Sequence, residues 1–128
     1  MRFLLDTHTF LWWVTRHPRL SQRVRSVFED ETTQIFFSAV VAWEIAIKVR
    51  LGQLEFQGDP AREIPNQVAA NGFLTLPIEV RHALQVGALP LLHRDPFDRL
   101  LVAQALLENL VVLTSDPAIA RYGVQVAW

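Results

Sequence analysis

Five acidic residues stand where short apolar runs end or the chain turns. Asp6 follows Phe3-Leu4-Leu5, Glu44 lies six residues beyond Ser38, Asp95 and Asp98 share one short stretch, and Asp116 follows Leu110-Val111-Val112-Leu113. Carboxylates gathered in one pocket cannot all stay ionised: like charges a few ångströms apart raise at least one pKa or recruit a cation. With no cysteine and no histidine pair at ligand spacing, the donor set is oxygen only. Oxygen donors select a hard divalent ion, Mg²⁺ or Mn²⁺. The natural chemistry of such an ion, which keeps open water positions, is phosphodiester cleavage.

Each acid also has a purely structural explanation. Asp95-Pro96 and Asp116-Pro117 read as a helix N-cap followed by its first residue. Asp98 suits the positive end of the helix that Asp95 opens. Asp59-Pro60 has the same form, but no strand delivers it to a common edge, so it is assigned to capping alone. Glu44 and Lys48 stand at i, i+4 in the favourable order. Their helix is apolar nearly all round, however, and a carboxylate in a buried helix needs a strong partner. Capping explains Asp6 least well, because it comes directly after a buried strand.

The elements that must position these acids alternate. Strands are expected at 3–5, 34–37, 73–76 and 110–113, with an edge strand at 124–126. Helices are expected at 7–15, at 22–30 behind Ser21, and at 39–51 between Ser38 and Gly52. Others follow at 60–71, 79–87 and 96–109, with a short one after Asp116. Apolar strands separated by helices predict an α/β fold: a central parallel sheet of four or five strands with helices on both faces, in a single domain over 1–128. Ligands of such sheets bind beyond the carboxyl ends of the strands, the edge from which Asp6, Glu44, Asp98 and Asp116 depart.

Composition narrows the choice. The 128 residues carry a net charge of −1, which excludes a basic nucleic-acid coat and leaves only local patches for phosphate contact. Zero cysteines remove disulfide frameworks, thiolate zinc sites and cysteine nucleophiles. Five isolated glycines exclude the clustered-glycine phosphate loops. No apolar run approaches the about 20 residues needed to cross a bilayer, and Asp6 and His8 interrupt the hydrophobic start, so the cytoplasm is the expected compartment and no membrane partner is expected. Of the basic residues, Arg16, Arg19, Arg23 and Arg25 form one cluster, while Arg94 and Arg99 flank the acidic turn; each is a candidate phosphate contact or a solvated charge. His8 and His93 are expected to pack or to touch phosphate, not to bind metal. Trp12, Trp13, Trp43 and Trp128 are expected mostly in the core, with some aromatic surface on the first helix free for a partner.

Four segments, LLDTHTFLWW, SAVVAWEIAIKVRLGQL, LPLLHRDPFDRLLVAQAL and VVLTSDPAIARYGVQVAW, resemble the PIN-domain ribonucleases. More closely they resemble the VapC-type toxins of bacterial type II toxin–antitoxin pairs, from Met1 to Trp128. The resemblance implies a PIN-like fold and an acidic catalytic and metal-binding quartet at Asp6, Glu44, Asp98 and Asp116. Asp6 and Asp98 would be the foremost ligands and Asp95 a further candidate. It implies an Mg²⁺- or Mn²⁺-dependent endoribonuclease cutting RNA of the tRNA or rRNA class, water attacking phosphorus in line to leave a 5′-phosphate and a 3′-hydroxyl. It implies a cognate VapB-type antitoxin and a homodimer or higher assembly. Thr114 and Ser115 supply the small hydroxyls usual before the fourth acid.

Two other classes compete. Phosphoaspartyl proteins also place an acid after the first strand and use Mg²⁺, but His8 stands where the phosphatases carry a second Asp, and the only lysine, Lys48, is on an early helix. A non-catalytic module, in which the acids only cap helices, predicts carboxylates that point apart.

Overall fold

The strands are short runs of mostly apolar residues: Arg2–Leu5 (β1), Gln34–Ser38 (β2), Leu74–Leu76 (β3), Val111–Leu113 (β4) and Val126–Ala127 (β5). In a computed structural model that describes residues 1–128, they form one five-stranded sheet, all parallel, in the order β3-β2-β1-β4-β5. Leu4 lies opposite Phe36 on one side and Val112 on the other. Phe3, Leu4 and Leu5 are all buried, as a central parallel strand covered on both faces requires.

Helices connect every pair of strands: Thr7–Val14 (α1), Gln22–Glu29 (α2), Ala39–Arg50 (α3), Pro60–Ala70 (α4), Val80–Gln85 (α5), Pro96–Glu108 (α6) and Pro117–Ala120 (α7). From β1 to β3 the chain steps one way across the sheet, and from β3 to β5 it steps the other way. Right-handed crossovers then lay α1–α4 on one face and α5–α7 on the other. The order reverses between β1 and β4, which opens a crevice at their carboxyl ends. Phe10, Val24, Val40, Val41 and Ile45 fill one side of the core, and Val102, Ala103, Ala105 and Ile119 fill the other.

The caps follow the sequence closely. Asp6, Ser21, Ser38, Asp59, Asp95 and Asp116 each accept a backbone N–H at the start of a helix. Gly52, at φ +71°, takes the left-handed position that ends α3. Most boundaries fall within one residue of expectation, and two regions differ further. Segment 79–87 divides into α5 and a 3-10 turn at Val86–Ala88, and β5 sits one to two residues later than expected. The tryptophans differ more: none of the four is buried. Trp43 is 46% exposed, and Trp12, Trp13 and Trp128 lie against the rim of the core. No helix is long and apolar enough to cross a membrane.

Candidate active site

β1 delivers Asp6 to the crevice. Its Oδ1 accepts the Thr9 N–H at 2.8 Å and so caps α1. Thr9 in turn donates its hydroxyl to the Leu113 carbonyl at 2.7 Å, pinning α1 to the end of β4. Asp6 is 5% exposed. Burial raises its pKa, against hydrogen bonds from Thr114 and Thr9 that favour the carboxylate. Capping and ligation are therefore compatible at this residue, because the cap uses only one of the two oxygens.

Asp116 repeats the device at the end of β4. Its Oδ1 accepts the Ala118 N–H at 2.9 Å, and its own N–H donates to the Thr114 hydroxyl at 3.0 Å. Thr114, which is 3% exposed, takes the Asp116 N–H and lies close enough to Asp6 to favour its carboxylate.

Glu44 projects from the second turn of α3 and is 5% exposed. Both of its oxygens are engaged. The Thr7 hydroxyl donates to Oε1 at 2.6 Å, and the Lys48 ammonium bonds Oε2. The strong partner that a buried carboxylate requires is Lys48, reinforced by a threonine 37 residues away in sequence. Burial disfavours the charged lysine, but the Glu44 hydrogen bond and the charges of Glu44, Asp95 and Asp98 prevail and hold its pKa above the ordinary value.

Asp98 begins α6, where Asp95 Oδ1 caps its N–H at 3.0 Å. Its Oδ2 meets His93 Nε2 at 3.2 Å. Behind His93 the bonds have a direction. Arg99 Nη1 donates to the Tyr122 oxygen at 3.0 Å, which leaves the Tyr122 hydrogen for His93 Nδ1 at 2.6 Å. With the Tyr122 hydroxyl donating to Nδ1, the neutral ring carries its proton on Nε2, facing Asp98. Burial, first, and then the neighbouring Asp95 push the Asp98 pKa up to about 6. The His93 bond opposes them, while Asp116 and Glu44 add to the rise. Asp98 therefore registers the charges of residues from α3 and from the end of β4.

Asp6 and Asp116 stand at the carboxyl ends of neighbouring strands, where the Asp6 N–H and the Thr9 hydroxyl both bond the Leu113 carbonyl, and Asp98 lies within the electrostatic reach of Glu44, Asp95 and Asp116. The arrangement stays open. The one set of three acidic or histidine side chains with donor atoms within 4.8 Å of one another is Glu79, His82 and Glu108, none of which belongs to the quartet. Arg99 departs from the expected role in phosphate contact. It is 8% exposed and spends its guanidinium on the Val86 and Pro90 carbonyls and on Tyr122. Arg25 is likewise held by the His17 and Leu20 carbonyls. Arg16, Arg23 and Arg94 remain exposed. The reading from sequence did not anticipate Thr7 or Tyr122. Thr7 adjoins Asp6 in sequence, but only the fold reveals that it reaches Glu44.

The chain matches the PIN domain family model over residues 3–125. Over 72 residues it is 39% identical to Ribonuclease VapC16 of Mycobacterium tuberculosis (strain ATCC 25618 / H37Rv), a span of 53% of this chain and 50% of that protein. The chain thus spans about half the length of the curated relative it matches. Among solved structures it resembles VapBC2 from Rickettsia felis bound to a DNA fragment from their promoter, with a TM-score of 0.73 at 14% identity over 99% of this chain and 98% of that one. It also resembles DNA-bound VapBC from Salmonella typhimurium, with a TM-score of 0.70 at 19% identity over 99% and 97% of the two chains. VapBC-1 from nontypeable Haemophilus influenzae is similar too, with a TM-score of 0.68 at 18% identity over 99% and 97%. Identities this low speak for the fold alone; together with the family model, which covers nearly every residue, they establish that the chain belongs to the PIN domain family.

Proposed function

We propose that this chain is a divalent-metal-dependent endoribonuclease and the toxin of a VapBC-type toxin–antitoxin pair. One observation carries the reading. Acids from separate elements meet at the carboxyl edge of the sheet: the Asp6 N–H at the end of β1 donates to the Leu113 carbonyl of β4, three residues before Asp116, and the Lys48 ammonium bonded to Glu44 lies 5.7 Å from the centroid of the Phe97 ring, between Asp95 and Asp98. The donor chemistry fits Mg²⁺ or Mn²⁺: hard oxygens only, with more negative charge than the pocket's one lysine offsets. Asp6, Asp98 and Asp116 would hold the ion, with Glu44 beside them and Asp95 as a further candidate. The bound ion would supply Lewis acidity toward water and toward the phosphate oxygens.

The remaining work falls to the chain itself. Thr9 and Thr114 fix Asp6, the Ala118 N–H fixes Asp116, and the Arg99–Tyr122–His93 series fixes Asp98. A carboxylate of the pocket accepts a hydrogen bond from the attacking water and turns its lone pair toward phosphorus. As the water oxygen bonds to phosphorus and gives up a proton to that carboxylate, the bond to the 3′-oxygen breaks and the departing oxygen takes a proton from solvent, leaving a 5′-phosphate and a 3′-hydroxyl. Arg94, exposed beside the acidic turn, with Arg16 and Arg23, would meet backbone phosphates outside the pocket.

The same reading takes RNA of the tRNA or rRNA class as substrate and a VapB-type antitoxin as partner, in the cytoplasm. It is supported by the relative named as a ribonuclease and by structural neighbours that are VapBC complexes. A homodimer is supported by Val80 and Leu84, which lie one turn apart on α5 at 77% and 73% exposure.

Cleavage of total RNA by the wild type in Mg²⁺, compared with EDTA and with Asp6→Asn and Asp98→Asn, tests the proposal. Cleavage is expected only with wild type and metal. Equal cleavage by either variant would refute the assigned ligands.

A further inference from the structure

Lys48 is the only lysine in the chain. Its ammonium bonds Glu44 Oε2, lies 5.7 Å from the centroid of the Phe97 ring, and stands near enough to Asp95 and Asp98 for their charges to act on it. Phe97 belongs to the first turn of α6, between those two aspartates, and Trp43 packs edge-on against it at 4.9 Å. An ordinary surface pair at i, i+4 has an exposed acid and a lysine free to swing away. Here the Glu44 side chain is only 7% exposed and that of Lys48 only 32%. With Thr7 on Oε1 and Lys48 on Oε2, each oxygen of Glu44 already has a partner.

Two-metal nucleases hold their ions about 3.5–4 Å apart, and each ion needs carboxylate contacts of its own. The acids of this pocket divide unequally. Asp6 and Asp116 follow the ends of the paired strands β1 and β4, with the Asp6 N–H on the Leu113 carbonyl, and Asp98 feels the charge of Asp116. Glu44 instead comes with its own cation. We infer that Lys48 is the resident second cation of the site: the pocket takes a single divalent ion, on Asp6, Asp98 and Asp116, while the Lys48 ammonium fills the Glu44 side and faces the scissile phosphate. This inference rests on the metal-nuclease reading above. An ammonium has three donors. One is spent on Glu44, and the others are free for non-bridging phosphate oxygens. Glu44 is then a positioning residue that holds Lys48, itself held by Thr7.

Counting Mn²⁺ bound to the RNA-free full chain, by calorimetry or by the paramagnetic signal of free Mn²⁺, tests the inference without reference to activity. Wild type and Lys48→Arg are expected to bind one ion per chain. Lys48→Met, which exposes an unmatched Glu44, is expected to bind a second ion, or to hold the first about tenfold more tightly. In RNA cleavage, Lys48→Met is expected to lower kcat about 100-fold with KM little changed, and Lys48→Arg to recover part of the loss. Two ions on the wild type, or an unchanged count and affinity in Lys48→Met, would overturn the inference. Should Lys48→Met fail to fold, the wild-type and Lys48→Arg counts decide alone. A wild type that cleaves RNA with two ions defeats this inference only. One that neither binds Mn²⁺ nor cleaves RNA defeats the metal-nuclease reading as well.

Discussion

Two clusters of acids and histidine sit in this molecule, and they have opposite electrostatics. At the end of α6, Glu108 Oε1 meets His82 Nε2 at 2.9 Å and is bonded by Arg81, while His82 Nδ1 accepts the Glu79 N–H at 2.9 Å. Nδ1 is an acceptor, so Nε2 carries the proton that Glu108 receives. The His82 bond, and then the Arg81 charge, hold Glu108 below the usual carboxylate range. At the carboxyl edge of the sheet, burial and neighbouring acids push Asp98 up to about 6. The first cluster has donor atoms close enough for a metal, yet both of its acids are bridged by Arg81 and both of its histidine nitrogens are occupied. The second is more open and has charge to spare. A tight group of ligand-type residues marks structure when it is satisfied. It is the unsatisfied group that invites a cation.

That contrast can be broken at several strengths. Asp6→Asn and Asp98→Asn should lower RNA cleavage by about 10³-fold, while Glu108→Gln leaves it unchanged; initial rates on one RNA substrate would show this. Thermal melts without metal should find Asp98→Asn no less stable than wild type, because a repelled charge has been removed. His82→Ala, at a fully buried ring with both nitrogens bonded, should cost about 2–4 kcal/mol of stability in urea unfolding and leave cleavage intact. Magnesium at 100 times its dissociation constant should add about 2.7 kcal/mol to the wild type and much less to Asp98→Asn.

The smallest effect is in pH, and there the two clusters run in opposite directions. Asp98 is raised from 3.8 to about 6, so its neutral form stabilises the metal-free fold below pH 3.8, and that contribution is lost as the pH climbs through about 6. Glu108 is lowered from 4.5, so its contribution is present above pH 4.5 and is lost as the pH falls below it. Melting temperatures between pH 3 and 7 should therefore lose their alkaline-side decline in Asp98→Asn and part of their acid-side decline in Glu108→Gln.

Local chemistry was legible in the sequence, and pairing across the fold was not. Three Asp-Pro steps predicted three capped helices, and the parallel sheet followed from alternating apolar runs. The same reading set capping against ligation at Asp6 and Asp116, whereas in the structure each cap uses Oδ1 alone. It recognised Glu44 and Lys48 as a pair by their spacing. It could not place Lys48 against Phe97, because that contact depends on how α3 meets α6. Arg99, beside the acidic turn, read as a phosphate contact or a solvated charge, and it is neither. Its position in α6 instead turns it toward the Val86 carbonyl of the preceding 3-10 turn and the Pro90 carbonyl after it. Nothing in the spacing of Glu79, His82 and Glu108 announced their cluster, since Glu108 lies 26 residues beyond His82.

The most direct test of the account is the position of Mn²⁺ in anomalous difference density from crystals grown or soaked with it. The account predicts a peak about 2.1 Å from carboxylate oxygens of Asp6, Asp98 and Asp116. A peak at His82 and Glu108 instead, or none at millimolar Mn²⁺, would contradict it.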